Sequence, residues 1–126
     1  MIEIQLPWPP SALSPNARTH WAALAKERKK FRNLCDIITL DQLGVGVTLD
    51  DDDAGYVLDL EFFRPTMRSY DADNLMSRMK SGIDGMCDAL SINDKRFCRV
   101  TSSISQSAIG GFAKVKIYKI GVSDGD

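Results

Sequence analysis

The stretch RSYDADNLMSRMKSGIDGMCDALSINDKRF, residues 68–97, carries the longest regular pattern in the chain, and the rest is read outward from it. At 100° per residue around a helix axis, Leu75, Met76, Met79, Ile83, Met86, Cys87 and Leu90 gather on one side at spacings of three and four. That side is a core face. Asp73, Ser77, Lys80, Asp84 and Asp88 fall within roughly 80° of one another on a second stripe, rich in groups that bind cations or phosphates. The helix opens after Asp71 and runs to about Leu90, and the turn SIND delivers Asp94 just beyond its far end.

These carboxylates admit two readings. An aspartate at a helix start caps it and favours the dipole, and Lys80 with Asp84 is an ordinary i,i+4 pair. Alternatively, Asp71 and Asp73 stand two residues apart, and an extended lead-in would point both carboxylates to one side, where a cation or several donors must offset their repulsion. Gly82 and Gly85 each cost about 1 kcal/mol inside a helix relative to Ala. Another helix or backbone is expected to come close there.

Upstream, IEIQL alternates as a first strand, PWPPSALSPNA is a proline-punctuated loop, and Thr19 is expected to cap a helix running to about Leu43. Its apolar stripe is read as Trp21, Leu24, Phe31, Leu34, Ile37, Ile38 and Leu40. GVGVTLDDDDAG is the exit loop. YVLDLEFF sends Tyr56, Leu58, Leu60 and Phe62 to one face and Asp59 and Glu61 to solvent. Downstream, RFCRVTSSISQ and FAKVKIYKI read as two strands joined through AIGG as a hairpin. The order strand, helix, strand, helix, strand, strand predicts an α+β fold: a small mixed sheet with two helices on one face, a two-layer sandwich, in one domain over residues 1–126.

With 126 residues and 44% apolar content, the chain is long enough for one core. No apolar run approaches the roughly 20 residues that span a bilayer, and MIEIQLPWPP lacks the pattern of a signal peptide, so a soluble cytoplasmic protein without a membrane partner is expected. Cys35, Cys87 and Cys98 suit neither a disulfide framework nor a zinc site and are read as buried thiols. One histidine, His20, argues against imidazole chemistry and leaves carboxylates, lysine and water. Net charge is −1, yet Arg18, Lys26, Arg28, Lys29, Lys30 and Arg32 crowd the first third, while Asp50 to Asp53, Asp124 and Asp126 hold much of the acid. A local basic face survives the neutral total.

DADN before an amphipathic helix with an internal lysine, then DAL, then IND opening a strand, together with the early LPWPPS, resembles the RusA-type Holliday-junction resolvases, from Leu6 to about Ile120. The resemblance implies a Mg²⁺-dependent endodeoxyribonuclease, with Mn²⁺ able to substitute and no organic cofactor. It implies a homodimer that resolves four-way DNA junctions by paired phosphodiester hydrolysis in recombination and repair. Carried over by motif, the metal ligands are Asp71, Asp73 and Asp94. The family's lysine stands four residues after the second aspartate, where this chain has Ser77; Lys80, seven after and on the same stripe, takes the role. Lys26, Lys29, Lys30 and Arg32 are expected to contact phosphates, with Arg18, Arg68, Asn74 and Arg96 completing the DNA-contacting set. Lys114 and Lys116 on the last strand would extend that surface. The alternatives are a metal-dependent nuclease of flaps or forks, a catalytically inactive DNA-binding dimer, or an acidic interaction module whose aspartates only cap.

A helix from Asp73 to Leu90 is roughly 25 Å long at 1.5 Å per residue, so Asp94 begins far from Asp71 and Asp73, whereas Mg²⁺ ligands converge to about 2.1 Å. The four-residue SIND turn is too short to carry Asp94 back along its own helix. The expectation is a composite site in which Asp94 of one subunit joins Asp71 and Asp73 of the other, two such helices being drawn together at Gly82 and Gly85.

Overall fold

Alternation in YVLDLEFF puts Tyr56, Leu58, Leu60 and Phe62 on one side of a strand, and all four are buried. In this computed structural model, which describes residues 1–49 and 55–120, that strand lies inside a four-stranded sheet. The elements are β1 (Ile2–Pro7), α1 (Trp21–Leu43), β2 (Tyr56–Phe63), α2 (Ala72–Leu90), β3 (Phe97–Ser105) and β4 (Phe112–Lys119), with 3-10 turns at Ser11–Leu13 and Asp94–Arg96. The α+β class, the mixed sheet and the two packed helices are as the sequence leads one to expect. The acidic run at 50–53, and Asp124 and Asp126, lie outside the described residues.

The sheet order is β1-β4-β2-β3, and here the hairpin expectation fails. β3 pairs parallel to β2, while β4 is inserted between β1 and β2, antiparallel to both. The AIGG segment therefore does not join neighbours. It crosses the end of β2, held there as Ala108 N–H donates to the Arg64 carbonyl at 2.8 Å, with Gly110 and Gly111 at positive φ. Insertion lets Ala113, Val115 and Ile117 of β4 pack centrally in the core, which a hairpin at the edge would not.

α1 begins one residue later than its expected cap. His20 is the N-cap, its Nδ1 accepting from Ala22 N–H at 3.3 Å, while Thr19 donates instead to the Ala12 carbonyl. The stripe also turns: Phe31, Cys35 and Thr39 are buried, with Leu24 and Ile38 packed alongside, but Trp21, Leu34 and Ile37 are exposed. Thr39 fits the core because its hydroxyl donates to the Cys35 carbonyl at 2.7 Å. Cys87 is also buried, and burial pushes the thiols of both Cys35 and Cys87 up to about 12. Cys98, expected inside, is exposed on β3.

α2 buries the face its periodicity assigns, with Leu75, Met79, Ile83, Met86, Cys87 and Leu90 buried and Met76 half-buried. Its two glycines meet α1 of the same chain and are not left for a second α2. A Cβ on Gly85 would fall into the Arg32 backbone carbonyl, and one on Gly82 would sit 2.5 Å from the Phe31 ring. The expected close approach is real, but it belongs to intrachain packing, so these glycines do not draw two subunits together. Among the described residues no helix is long and apolar enough to cross a membrane.

Candidate active site

The exposed stripe of α2 runs from Asp73 through Ser77 and Lys80 to Asp84 and Asp88. Asp71 is the N-cap, its Oδ1 accepting from Asn74 N–H at 3.1 Å, and Asp73 lies in the first helical turn. Only Asp71 is extended, so the two do not share the extended lead-in on which the repulsion argument rested. The capping reading of Asp71 holds, through Oδ1 and not Oδ2.

Asn74 is fixed from the other side, its Nδ2 donating to Ser14 Oγ at 3.0 Å. Ser14 belongs to the loop that Arg78 anchors, the guanidinium Nη2 donating to the Pro9 carbonyl at 2.6 Å and the charge lying 5.9 Å from the Trp8 ring centroid. Burial lowers the Arg78 pKa. The PWPPS loop is thus strapped to the start of α2, beside a hollow of about 410 Å³ lined by Ser14, Asn16, Arg68, Tyr70, Asp71 and Asn74.

Further along the stripe, Lys80 Nζ donates to Asp84 Oδ1 at 2.7 Å and to Asp94 Oδ2 at 2.8 Å. Here the expectation that SIND is too short to carry Asp94 back along its own helix fails: the turn and the following 3-10 turn, whose N-cap Asn93 accepts from Lys95 N–H, fold Asp94 back as far as the Lys80 ammonium. Burial opposes the Lys80 charge, but bonds to Asp84 and Asp94 outweigh it and raise its pKa. The Lys80 hydrogen bond, then its charge, holds the Asp94 carboxyl below its ordinary value. On the α1 side a cleft of about 420 Å³ is lined by Leu13, Arg28, Ser77, Lys80, Ser81 and Asp84. A smaller hollow of about 190 Å³ lies between Arg32, Asp84, Asp88 and Asp94.

Hard carboxylate oxygens suit Mg²⁺, and Asp71, Asp73 and Asp94 are all exposed. Within one chain they do not converge. Asp71 and Asp73 stand at the start of α2 while Asp94 folds back only to Lys80, midway along it, and among the described residues no three His, Cys, Asp or Glu side chains are placed to hold an ion.

The basic residues are less uniform than their crowding suggests. Arg32 forms a fork to Asp88 (Nε to Oδ2 2.7 Å, Nη2 to Oδ1 2.8 Å), which raises the Arg32 pKa and lowers that of Asp88. Lys26, Lys29 and Lys30 are exposed, but at 100° per residue they lie about 120°, 60° and 160° around α1 from Arg32. They wrap α1 rather than lining one stripe. Arg18 is exposed, Arg68 sits 5.0 Å over the Tyr70 ring, Arg96 sits 5.2 Å over the Tyr56 ring, and Lys114 pairs with Glu3 at 3.1 Å. Lys116 is half-buried on the sheet. Arg28 was missed as a site residue. Phe31, Cys35 and Ile38 taken as the core stripe would have put it, four residues before Arg32, on the flank facing α2.

No family model matches the sequence. The chain is 38% identical over 99 residues to an uncharacterized protein of Xylella fastidiosa (strain Temecula1), an alignment covering 77% of this chain and 63% of that protein. The chain thus spans less than two thirds of the length of that relative.

Proposed function

We propose that the protein is a Mg²⁺-dependent, structure-specific endodeoxyribonuclease of the RusA type, acting as a homodimer on four-way DNA junctions in recombination and repair. The observation that carries this reading is the Lys80 ammonium held between Asp84 and Asp94 on an open cleft. The pair is exposed, with 58% of the Lys80 side chain and 45% of the Asp94 side chain accessible, and such pairs add at most about 1 kcal/mol to stability. Because these pairs are weak and exposed, the Lys80 ammonium can exchange a carboxylate for a phosphoryl oxygen, with a metal ion taking up the freed negative charge. Lys80 and Arg28 flank the cleft as donors for phosphoryl oxygens, and Ser77 adds a hydroxyl.

Asp71, Asp73 and Asp94 are the proposed ligands, with Asp94 supplied by one subunit and the other two by its partner, since within one chain Asp94 reaches back only to Lys80, midway along α2, and the three do not converge. Mg²⁺ bound there would supply an activated water and positive charge for the phosphoryl oxygens. Exposed Arg18, Lys26, Lys29 and Lys30 carry the sequence-independent contact with the DNA backbone. The test is cleavage of a four-way junction, a flap and a linear duplex of equal length with Mg²⁺. Junction cleavage above the other two, lost in Asp73→Asn while junction binding persists, supports the reading. Flap preference transfers the activity to forks, and binding without cleavage makes the protein a structural DNA binder.

A further inference from the structure

Trp21, the first residue of α1, sits on the stripe that the rest of the helix turns inward, yet it is 76% exposed. At 100° per residue it lies about 40° around the axis from Cys35, which is fully buried, and about 20° from Arg28, which lines the cleft toward α2. Nothing among the described residues covers the indole. Its place is nevertheless fixed. His20 caps the helix through Nδ1, which accepts from Ala22 N–H at 3.3 Å, and the same imidazole lies against the indole with ring centroids 5.5 Å apart and planes tilted by 36°. Thr19 donates to the Ala12 carbonyl at 3.2 Å, tying this end of α1 to the 3-10 turn that supplies Leu13 to the cleft. The fold thus holds an aromatic ring in water beside the candidate site, without the stabilisation that burial would bring.

The surroundings select what the ring takes. Leu34 and Ile37, the other large exposed apolar residues of α1, lie about 140° and 160° around the helix from Trp21, so the indole is not part of an apolar patch of the kind a protein partner covers. Its neighbours are cations. Arg18 and Lys26 are exposed within five residues of it, and Glu27 is the one acidic residue between Leu13 and Cys35. Arg28, about 10 Å further along the axis, makes no ion pair among the described residues. An isolated aromatic face among free cations is the chemistry of single-strand sites, in which bases stack on rings and phosphates follow basic groups. A base inside a duplex has both faces already stacked and offers neither to the ring.

We infer that Trp21 is a stacking platform for an unpaired nucleobase of a DNA single strand, with the adjoining phosphate held by Arg28 at the rim of the cleft. The part of the substrate gripped here is then a strand opened at a branch, and not intact duplex. The place of the phosphate rests on the nuclease reading, whereas the platform does not.

The full chain in EDTA, where no cleavage occurs, is titrated with an oligothymidylate of about 12 residues, within the span of single-strand sites, and with an abasic strand of equal length and charge. The thymidylate is expected to quench tryptophan emission and the abasic strand is not. The quench should vanish in Trp21→Phe, which keeps Trp8 as its only tryptophan. By anisotropy of the labelled strands, the parent should bind thymidylate about tenfold more tightly than the abasic strand. Trp21→Ala should remove that difference with unchanged far-UV circular dichroism, and Trp21→Phe should keep most of it, since a phenyl ring still stacks. A packing role alone would not tell the two strands apart, and the parent and phenylalanine measurements stand if the alanine variant misfolds. Equal affinity of the parent for both strands, no quench at saturation, or a difference that survives in Trp21→Ala overturns the inference. Tighter binding of an oligouridylate than of the oligothymidylate overturns it too, by making RNA the source of the base. A base-dependent quench in a protein that cuts no junction with Mg²⁺ leaves the platform standing and removes the nuclease reading alone.

Discussion

Lys80 Nζ lies 2.8 Å from Asp94 Oδ2, a contact between α2 and the 3-10 turn after it, with Asp84 Oδ1 2.7 Å away on the same ammonium. The Lys80 bond keeps the Asp94 carboxyl below its ordinary value. Its stabilising effect is therefore present above the unfolded carboxyl pKa, about 3.9, and is lost as pH falls through the lower folded value. Lys80→Met is expected to return Asp94 to the ordinary carboxylate range, read by carboxyl-carbon NMR titration. Because both groups are exposed, unfolding free energy should change by less than about 1 kcal/mol, while junction cleavage falls about 10²- to 10³-fold.

Gly85 tests the fold. An exposed helix glycine gains about 1 kcal/mol on replacement by alanine, but here the added Cβ meets the Arg32 carbonyl of α1. Gly85→Ala is expected to destabilise the protein by about 1–3 kcal/mol, seen as a lower urea midpoint. A gain in stability would show that α1 and α2 are not packed at this distance. Gly82→Ala should cost less, because the Phe31 ring can shift where a backbone carbonyl cannot.

The two helices and four strands were legible because each carries its own period, and the face of α2 was legible residue by residue. The position of β4 was not. FCRVTSSIS followed by a glycine turn and FAKVKIYK has the local form of a hairpin, and only long-range pairing places β4 between β1 and β2 while β3 turns parallel to β2. α1 misled for a related reason: Trp21, Leu34 and Ile37 are apolar but exposed, whereas Thr39 is buried through a bond to its own helix. In the candidate site, the helix period gave the stripe from Asp73 to Asp88. The fold-back of Asp94 onto Lys80 depends on the Asn93 cap and could not be read from spacing.

Arg32 and the lysines of α1 should separate by experiment. Arg32 is held in a fork by Asp88, so Arg32→Gln is expected to lower stability by up to about 1 kcal/mol. The Arg32 hydrogen bond holds the Asp88 carboxyl below its ordinary value, so this difference should vanish as pH falls through the folded Asp88 pKa. Replacing Lys26, Lys29 and Lys30 with Gln should leave stability unchanged. It should flatten the plot of log affinity for junction DNA against log salt by up to about 0.9 for each phosphate no longer neutralised. An unchanged slope would remove α1 from the DNA surface.

The proposed site is divided between two chains, and mixing two inactive variants tests that division most directly. Asp73→Asn and Asp94→Asn are each expected to cut no junction. In a mixed dimer, one site combines Asp71 and Asp73 of the Asp94→Asn chain with Asp94 of the Asp73→Asn chain and is intact, while the other site carries both substitutions. After the two proteins are mixed and allowed to exchange subunits, Mg²⁺ should restore nicking of one junction strand, measured on end-labelled DNA. No nicking, in a mixture shown by mass to contain heterodimers, would contradict the shared site.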